Sequence, residues 1–291
     1  MLGEDGTQLD ARLRGKLRLD GRRTTSPVAV GDVVVYEMLP EGEAVITSIG
    51  ERRNYIIRRA SNLSKESHVI AANLDQEFLL ATLFAPVTRT EFIDRVLVTC
   101  EAYNVPAAIV LNKVDMASQL PEEMEEFHEV YRLAGYRVIN VCATDGTGIG
   151  ELASMMRGKS TLLAGNSGVG KSTIINAIEP SAEARTGKIS DYHLKGTHTT
   201  TFARMYPLTG GGSIIDTPGI KGFGLIDIGD SEVFRYFPDF MKYAPGCQYY
   251  NCTHTHEPGC AVVEALKAGD LSLSRYESYL KILDEDGKYR V

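Results

Sequence analysis

The sequence predicts a multidomain chain. It has an N-terminal OB-fold-like β-barrel, a central α/β domain around a phosphate-binding loop, and a short α-rich C-terminal domain closed by a metal. Three observations predict it. Short β-patterned runs with basic edges fill the first part of the chain. Gly165 to Ser172 forms a glycine-rich loop between an apolar run and a helical run. Cys247, Cys252, His254 and Cys260 crowd into one stretch near the end. A length of 291 residues suits two or three domains, and 43% hydrophobic residues are enough for a core. The net charge of −7 is ordinary for a soluble protein. No run approaches a membrane-spanning length, and Met1-Leu2-Gly3-Glu4-Asp5-Gly6 has no signal-peptide character. A cytoplasmic protein without a membrane partner is expected.

Charge is uneven along the chain. Residues 1–60 carry 10 Lys/Arg against 9 Asp/Glu, while the remainder carries 21 against 29. The early bases are Arg12, Arg14, Lys16, Arg18, Arg22 and Arg23, then Arg52, Arg53, Arg58 and Arg59. Residues 10–19 alternate, and 32–37 and 43–49 read as strands. Turn residues separate them at Asp20-Gly21, Pro40 to Gly42, and Gly50. A small barrel with basic edges can lie on nucleic acid. A small β-domain whose basic side chains only solvate its surface fits equally well, and charge alone does not choose.

Ala107-Ala108-Ile109-Val110-Leu111 reads as a buried parallel strand. Asn112-Lys113-Val114-Asp115 follows at its C-terminal end, where open α/β sheets bind ligands. A carboxylate at Asp115 can accept from N1 and the exocyclic amine of guanine, whereas adenine would leave it unpaired. The Lys113 stem would lie over the base. Taken alone, the motif is also an ordinary strand-to-loop turn. Val138 to Val141 reads as the next strand. Cys142 and Ala143 then stand where a loop would support the base from its other side.

Ser160 to Ala164 reads as a short buried strand running into Gly165-Asn166-Ser167-Gly168-Val169-Gly170-Lys171-Ser172. Such a loop wraps backbone N–H groups around phosphates. Lys171 reaches the β- and γ-phosphates, and the Ser172 hydroxyl binds Mg²⁺. A helix from Ser172 through Thr173 to Ile178 would aim its positive end at the same phosphates. Ser213 to Ile215 is a further strand, ending in Asp216-Thr217-Pro218-Gly219. Asp216 would hold Mg²⁺ through water, and the Gly219 N–H would sense the γ-phosphate. Between the two lies Gly196-Thr197-His198-Thr199-Thr200-Thr201. One threonine there, Thr200 by preference, would bind Mg²⁺ and lock a mobile segment. The same run also reads as a polar strand edge rich in β-branched residues.

Ile220 stands where Ras-like enzymes place the glutamine that orients water, and isoleucine cannot do this. His198 is the candidate substitute, against the plainer reading of a solvent-exposed histidine. The expected catalytic set is Lys171, Thr200 and His198, with slow intrinsic turnover that a partner accelerates. The order of the pieces is unusual. The base-reading motif precedes the phosphate loop, whereas in most GTPases it trails. The chain therefore reads as a circularly permuted GTPase, and the segment after Asp216 runs directly into the C-terminal part. Switch motion could be passed along it.

Cys247, Cys252, His254 and Cys260 form a normal tetrahedral set for zinc. Four ligands leave no open position, so the site is structural. Without a secretion signal, metal is a better reading than disulfides. His256 is a possible substitute ligand. Residues 261–268 and 274–283 look helical, with Ser274 and Glu277 spaced as a capping box. The segment is too short for a core of its own and needs the metal.

With these motifs placed, the chain resembles the RsgA (YjeQ) family of circularly permuted GTPases over essentially its whole length. The resemblance rests on Gly31-Asp32-Val33-Val34, Asn73-Leu74-Asp75-Gln76, Asn112 to Asp115, Gly165 to Thr173, Thr197 to Thr201, Asp216 to Gly219 and the Cys247-Cys252-His254-Cys260 set around Glu257-Pro258-Gly259. It implies an OB-fold over 1–62, a permuted GTPase domain over 63–228 and a zinc-binding domain over 229–291. It also implies a late step in assembly of the small ribosomal subunit, with rRNA contact and subunit-stimulated hydrolysis by a monomer. By position, His198 matches the family's hydrolysis histidine and Thr200 its switch threonine. The four Cys/His residues match its zinc ligands. One departure is expected to matter. The family's barrel begins with a further strand before the turn at Asp5-Gly6, which leaves this barrel one short of the five that an open OB barrel uses. Two rival readings stay open: an RNA-binding assembly factor with a structural nucleotide, and a switch acting on a non-ribosomal partner.

Overall fold

The computed structural model describes residues 1–3, 7–14, 27–40, 42–59, 67–117, 119–184, 203–217 and 228–288. Its basic, β-patterned start forms short strands: β1 (Ala11–Leu13), β2 (Val34–Met38), β3 (Ala44–Ile49), β4 (Tyr55–Arg59) and β5 (Ser67–Ala72). β3 lies between β1 and β2, parallel to the first and antiparallel to the second. β4 and β5 pair as an antiparallel hairpin, so the expected boundary at 62/63 falls between two paired strands. A parallel bridge ties Val30, four residues ahead of β2, to Ala71 of β5. β3 buries Ala44, Val45 and Ile46, whereas Val33, Val35 and Met38 remain 69%, 60% and 51% exposed.

The non-alternating apolar runs form the middle of the molecule, as runs buried on both faces do. In chain order they and their helices are β6 (Gln76–Ala81), α1 (Thr90–Ala102), β7 (Ala107–Leu111), α2 (Val114–Ala117), α3 (Pro121–Ala134), β8 (Val138–Asn140), α4 (Ile149–Met156), β9 (Ser160–Gly165), α5 (Lys171–Ile178), β10 (Arg204–Pro207) and β11 (Ser213–Asp216). The strands make one sheet in the order β10-β11-β9-β6-β7-β8, parallel throughout except for β10 against β11. Successive residues feed opposite cores. Leu79, Ile109 and Leu162 pack with Ile93, Val96 and Leu97 of α1 and Phe127 of α3. Phe78, Leu80, Val110 and Leu163 pack with Leu152 of α4 and Ile174 of α5. The β4–β5 hairpin adds Ile56 and Ala71 to the first of these.

The sheet makes the permutation visible. β9, which feeds the phosphate loop, sits between β11 and β6. An unpermuted chain would run β9, β10, β11 and then the other three. Here β6, β7 and β8 come first, yet they occupy the same side of β9.

After β11, a 3₁₀ segment over Asp230–Tyr236 leads to α6 (Pro238–Tyr243), α7 (Ala261–Ala268) and α8 (Leu273–Lys288). Phe237, Phe240, Val262, Leu271 and Tyr279 form a third core around Cys252 and Cys260. This core includes Val98 of α1. The module thus completes its interior on the central domain, and each fully buried Phe adds roughly 1.5–3 kcal/mol. The capping box expected at Ser274 and Glu277 is not formed. α8 begins at Leu273, and the Tyr276 N–H bonds the carbonyl of Ser272, so Ser274 lies inside the first turn. Among the described residues no helix is long and apolar enough to cross a membrane.

Candidate nucleotide site and metal cluster

β9 delivers the glycine-rich loop, and the backbone there demands glycine. Gly165, Gly168 and Gly170 have φ of 151°, 85° and 99°. A Cβ on Gly170 would stand 2.4 Å from the Asn112 side-chain nitrogen. The space is closed because Asn112 leaves the end of β7 and its Nδ2 donates to the carbonyl of Val169 at 2.8 Å. The two motifs that sequence reading assigned to base and phosphate are thus joined by one buried side chain.

Lys113, at φ 61°, donates through Nζ to the carbonyls of Gly168, at 2.9 Å, and Ala85. Asp115 lies in the first turn of α2, and the Cys142 thiol donates to its Oδ1 at 3.2 Å. Cys142 also meets the Thr144 hydroxyl at 3.1 Å. Cys142 is buried and Ala143 half-buried, both beyond β8, so the loop expected to flank the base stands beside Asp115. Asn166 is half-buried, Ser167 and Gly168 are exposed, and Val169 is buried in the core beneath.

α5 starts at Lys171, with Ser172 and Thr173 half-buried in its first turn. Lys171 Nζ folds back onto the carbonyl of Gly165 at 2.8 Å. Burial pulls its ammonium below the ordinary lysine range, and Asp216 pulls it partly back. The same burial pushes Asp216 up against the pull of Lys171. Asp216 ends β11 with its Oδ1 buried and without a partner. An orphaned buried carboxylate oxygen suits a hard cation, and Ser172 in the first turn of α5 offers a second oxygen ligand, so the residues present fit Mg²⁺, with the half-buried Lys171 left for phosphate. His198, Thr200 and Gly219 lie outside the described residues.

At the other end, ligand atoms of Cys247, Cys252, His254 and Cys260 lie within 4.8 Å of one another. His254 Nδ1 is 3.5 Å from the Cys247 sulfur and 3.4 Å from that of Cys260, and these two sulfurs are 4.0 Å apart. A tetrahedron with sulfur arms of ~2.3 Å has edges of roughly 3.8 Å, so the donor set fits one metal ion. His256 is exposed and bonds Thr255, so it does not join the cluster. Glu257 braces the loop by accepting from the Thr253 N–H at 2.7 Å and its hydroxyl at 2.6 Å.

Sequence reading missed two features. The loop after β6 backs the nucleotide motifs through Ala85 and Pro86, with Pro86 Cδ 3.4 Å from where a Cβ on Gly168 would lie. A proline shortly after β6, at Ala85-Pro86, was the available signal. The other is Glu77, fully buried in β6, where it accepts from the Cys100 thiol at 3.0 Å. Burial pushes its carboxyl up to about 8, the thiol bond opposing only in part. A shallow depression on α3 is lined by Glu125, Glu126, Glu129, His128 and Arg132. Its net negative lining repels phosphate, and no motif residue reaches it.

Residues 49–226 match the family described as RsgA GTPase. The small ribosomal subunit biogenesis GTPase RsgA of Phocaeicola vulgatus is 52% identical over 290 residues, covering 99% of this chain and 94% of that protein. The protein of the same name from Porphyromonas gingivalis is 52% identical over 294 residues, covering 98% and 93%. The crystal structure of YjeQ from Thermotoga maritima superposes with a TM-score of 0.75 at 33% identity, covering 97% of this chain and 91% of that one. YloQ, described as a circularly permuted GTPase, gives a TM-score of 0.72 at 28% identity, covering 99% and 90%.

Proposed function

This chain belongs to the RsgA GTPase family, and from that membership we propose that it hydrolyses GTP in the biogenesis of the small ribosomal subunit. The observation that carries the reading is the bond from Asn112 to the Val169 carbonyl. It sets the base-reading and phosphate-binding segments side by side, so that one bound nucleotide can touch both.

Asp115 accepts from the guanine edge, held by the Cys142 thiol, and the Lys113 stem covers the base with Ala143 opposite. Backbone N–H groups from Gly165 to Lys171 receive the phosphates. Lys171 leaves the Gly165 carbonyl to meet them, and Thr173 continues the helix behind Ser172. Ser172, Asp216 and Thr200 would hold Mg²⁺, which when bound offsets charge on the β- and γ-phosphates. The Gly219 N–H reports the γ-phosphate, and His198 orients the attacking water in place of a glutamine. These last roles and that of Thr200 rest on sequence position. Zinc is the metal that three thiolates and an imidazole select, and it is structural here. The N-terminal sheets bring their arginines to rRNA, and the chain acts as a monomer in the cytoplasm, without a membrane.

The test is GTP hydrolysis with and without purified small ribosomal subunits, with Lys171→Ala as the blank. Stimulation of tenfold or more by wild type alone is expected, given that partner-supplied geometry is worth about 10³–10⁵ in related switches. Equal rates with and without subunits would sink the assignment of the partner.

A further inference from the structure

α8 grips two things at once. On one side, the Tyr276 hydroxyl donates to the carbonyl of His254 at 2.8 Å and the Tyr279 hydroxyl to that of Thr253 at 2.6 Å, which holds the metal loop. On the other, Arg275 forms a buried triad. Its Nε and Nη2 donate to Asp239 at 3.1 and 2.8 Å, and its Nη1 donates to Asp94 of α1 at 2.8 Å. The side chains of Arg275, Asp94 and Asp239 are 0%, 0% and 3% exposed. The rings of Phe237 and Tyr136 stand 4.8 and 5.6 Å from the guanidinium. Lys281 pairs with Glu91 in the first turn of α1.

The loop that precedes α1 touches the nucleotide motifs. This loop is knit shut. The Thr88 N–H donates to the Thr82 carbonyl at 2.8 Å, the Thr82 N–H to the Thr88 hydroxyl at 3.0 Å, and the Thr82 hydroxyl to the Pro86 carbonyl. These bonds close the loop across its own mouth, two residues before α1 begins at Thr90. Its Ala85 carbonyl receives Lys113, and its Pro86 ring lies against Gly168.

We propose that Arg275 is a positioning residue for the nucleotide site: through Asp94 it sets α1 and the 82–88 loop, so that seating of the metal module tunes guanine-nucleotide affinity. The route differs from the one sequence order suggested, through the segment after Asp216. It rests on the assignment of GTP to the Asn112–Val169 site. Binding linkage makes it reciprocal, so nucleotide must tighten the module by the factor with which the module tightens nucleotide.

The experiment uses the full metal-loaded chain, with zinc content checked in each variant. Affinity for a fluorescent GDP analogue is measured for wild type, Arg275→Lys, which keeps the charge and loses the planar fork, and Asp94→Asn, which keeps the shape. Hydrogen exchange is followed at 82–89, 165–172 and 253–283. Expected results are about 5- to 50-fold weaker GDP binding in either folded variant, faster exchange at 82–89, and, in wild type, slower exchange at 253–283 when GDP is added. The last readout is one that a purely structural triad would not move. Unchanged GDP affinity in both variants, with 253–283 indifferent to GDP, would overturn the proposal while leaving the nucleotide reading intact. A wild-type chain that bound no guanine nucleotide would overturn both.

Discussion

The N-terminal three-stranded sheet and the C-terminal metal module are both satellites of the central sheet, and they are fastened by different chemistry. The N-terminal sheet buries little beyond Ala44, Val45 and Ile46, and turns Val33, Val35 and Met38 outward. Polar links hold it. Arg52 forks onto Asp32 with two bonds of 2.7 Å, and Asn73 donates to the Gly31 carbonyl at 3.0 Å. Gly31 tolerates no side chain, because a Cβ would sit 2.1 Å from the Ala72 carbonyl. The C-terminal module shares an aromatic core with α1 and locks it with Arg275. A satellite that shares its core with the central domain becomes part of the global fold, while one hung on a few polar bonds can open by itself.

Arg275 carries the largest expected effect. Arg275→Ala leaves Asp94 and Asp239 as buried carboxylates without a counter-charge, and stability of the whole chain is expected to fall by about 3–5 kcal/mol in urea denaturation. A loss under ~1 kcal/mol would show that the aromatic core alone holds the module.

Glu77 belongs to the central strand and to neither satellite, so it supplies a reference. Its folded value of about 8 exceeds the ordinary 4.5, so the folded state keeps a proton that the unfolded chain releases. Stability from this group is complete below pH 4.5 and is lost as pH rises through about 8. At ~1.36 kcal/mol per unit, roughly 3–4 kcal/mol disappears between pH 5 and 8. Glu77→Gln is expected to flatten this slope in thermal or urea melts. A slope identical to wild type would mean that Glu77 is ionised in the fold.

Arg52→Ala is expected to be the gentlest of the three for the global fold. It leaves the buried Asp32 carboxylate without its counter-charge, at a cost of about 3–5 kcal/mol, but that cost is expected to fall on local opening of the N-terminal sheet. Exchange should quicken over residues 27–49 and stay slow in β6, β7 and β9. Parallel quickening in the central strands would erase the distinction between the two satellites.

Much of the fold was legible in the sequence because its signals are local. β7 and β11 follow from apolar runs at the places expected, and β9 and α5 bracket the loop as the motif requires. The Cys/His cluster was legible from spacing alone. What escaped lies between segments. Asp94 and Arg275 are 181 residues apart, and each sits on an ordinary helix. Glu77 reads as the polar start of a strand. It is buried because β6 is flanked by β7 and β9 on both edges and covered on both faces. Ser274 was misread as a cap because Ser272, two residues earlier, is an equally good one and the helix begins after it.

The permuted strand order also sets a timetable. β6 is a central strand whose two edges are closed by β7 and β9. On a ribosome, β7 emerges soon after β6, but residues 82–159 must all be made before β9 begins at Ser160. At ~5–20 residues per second, that is roughly 4–16 s during which one edge of the most buried strand waits without its neighbour. The nascent chain therefore spends its longest interval as a half-sheet with an open inner edge, and the phosphate loop arrives together with the strand that closes it.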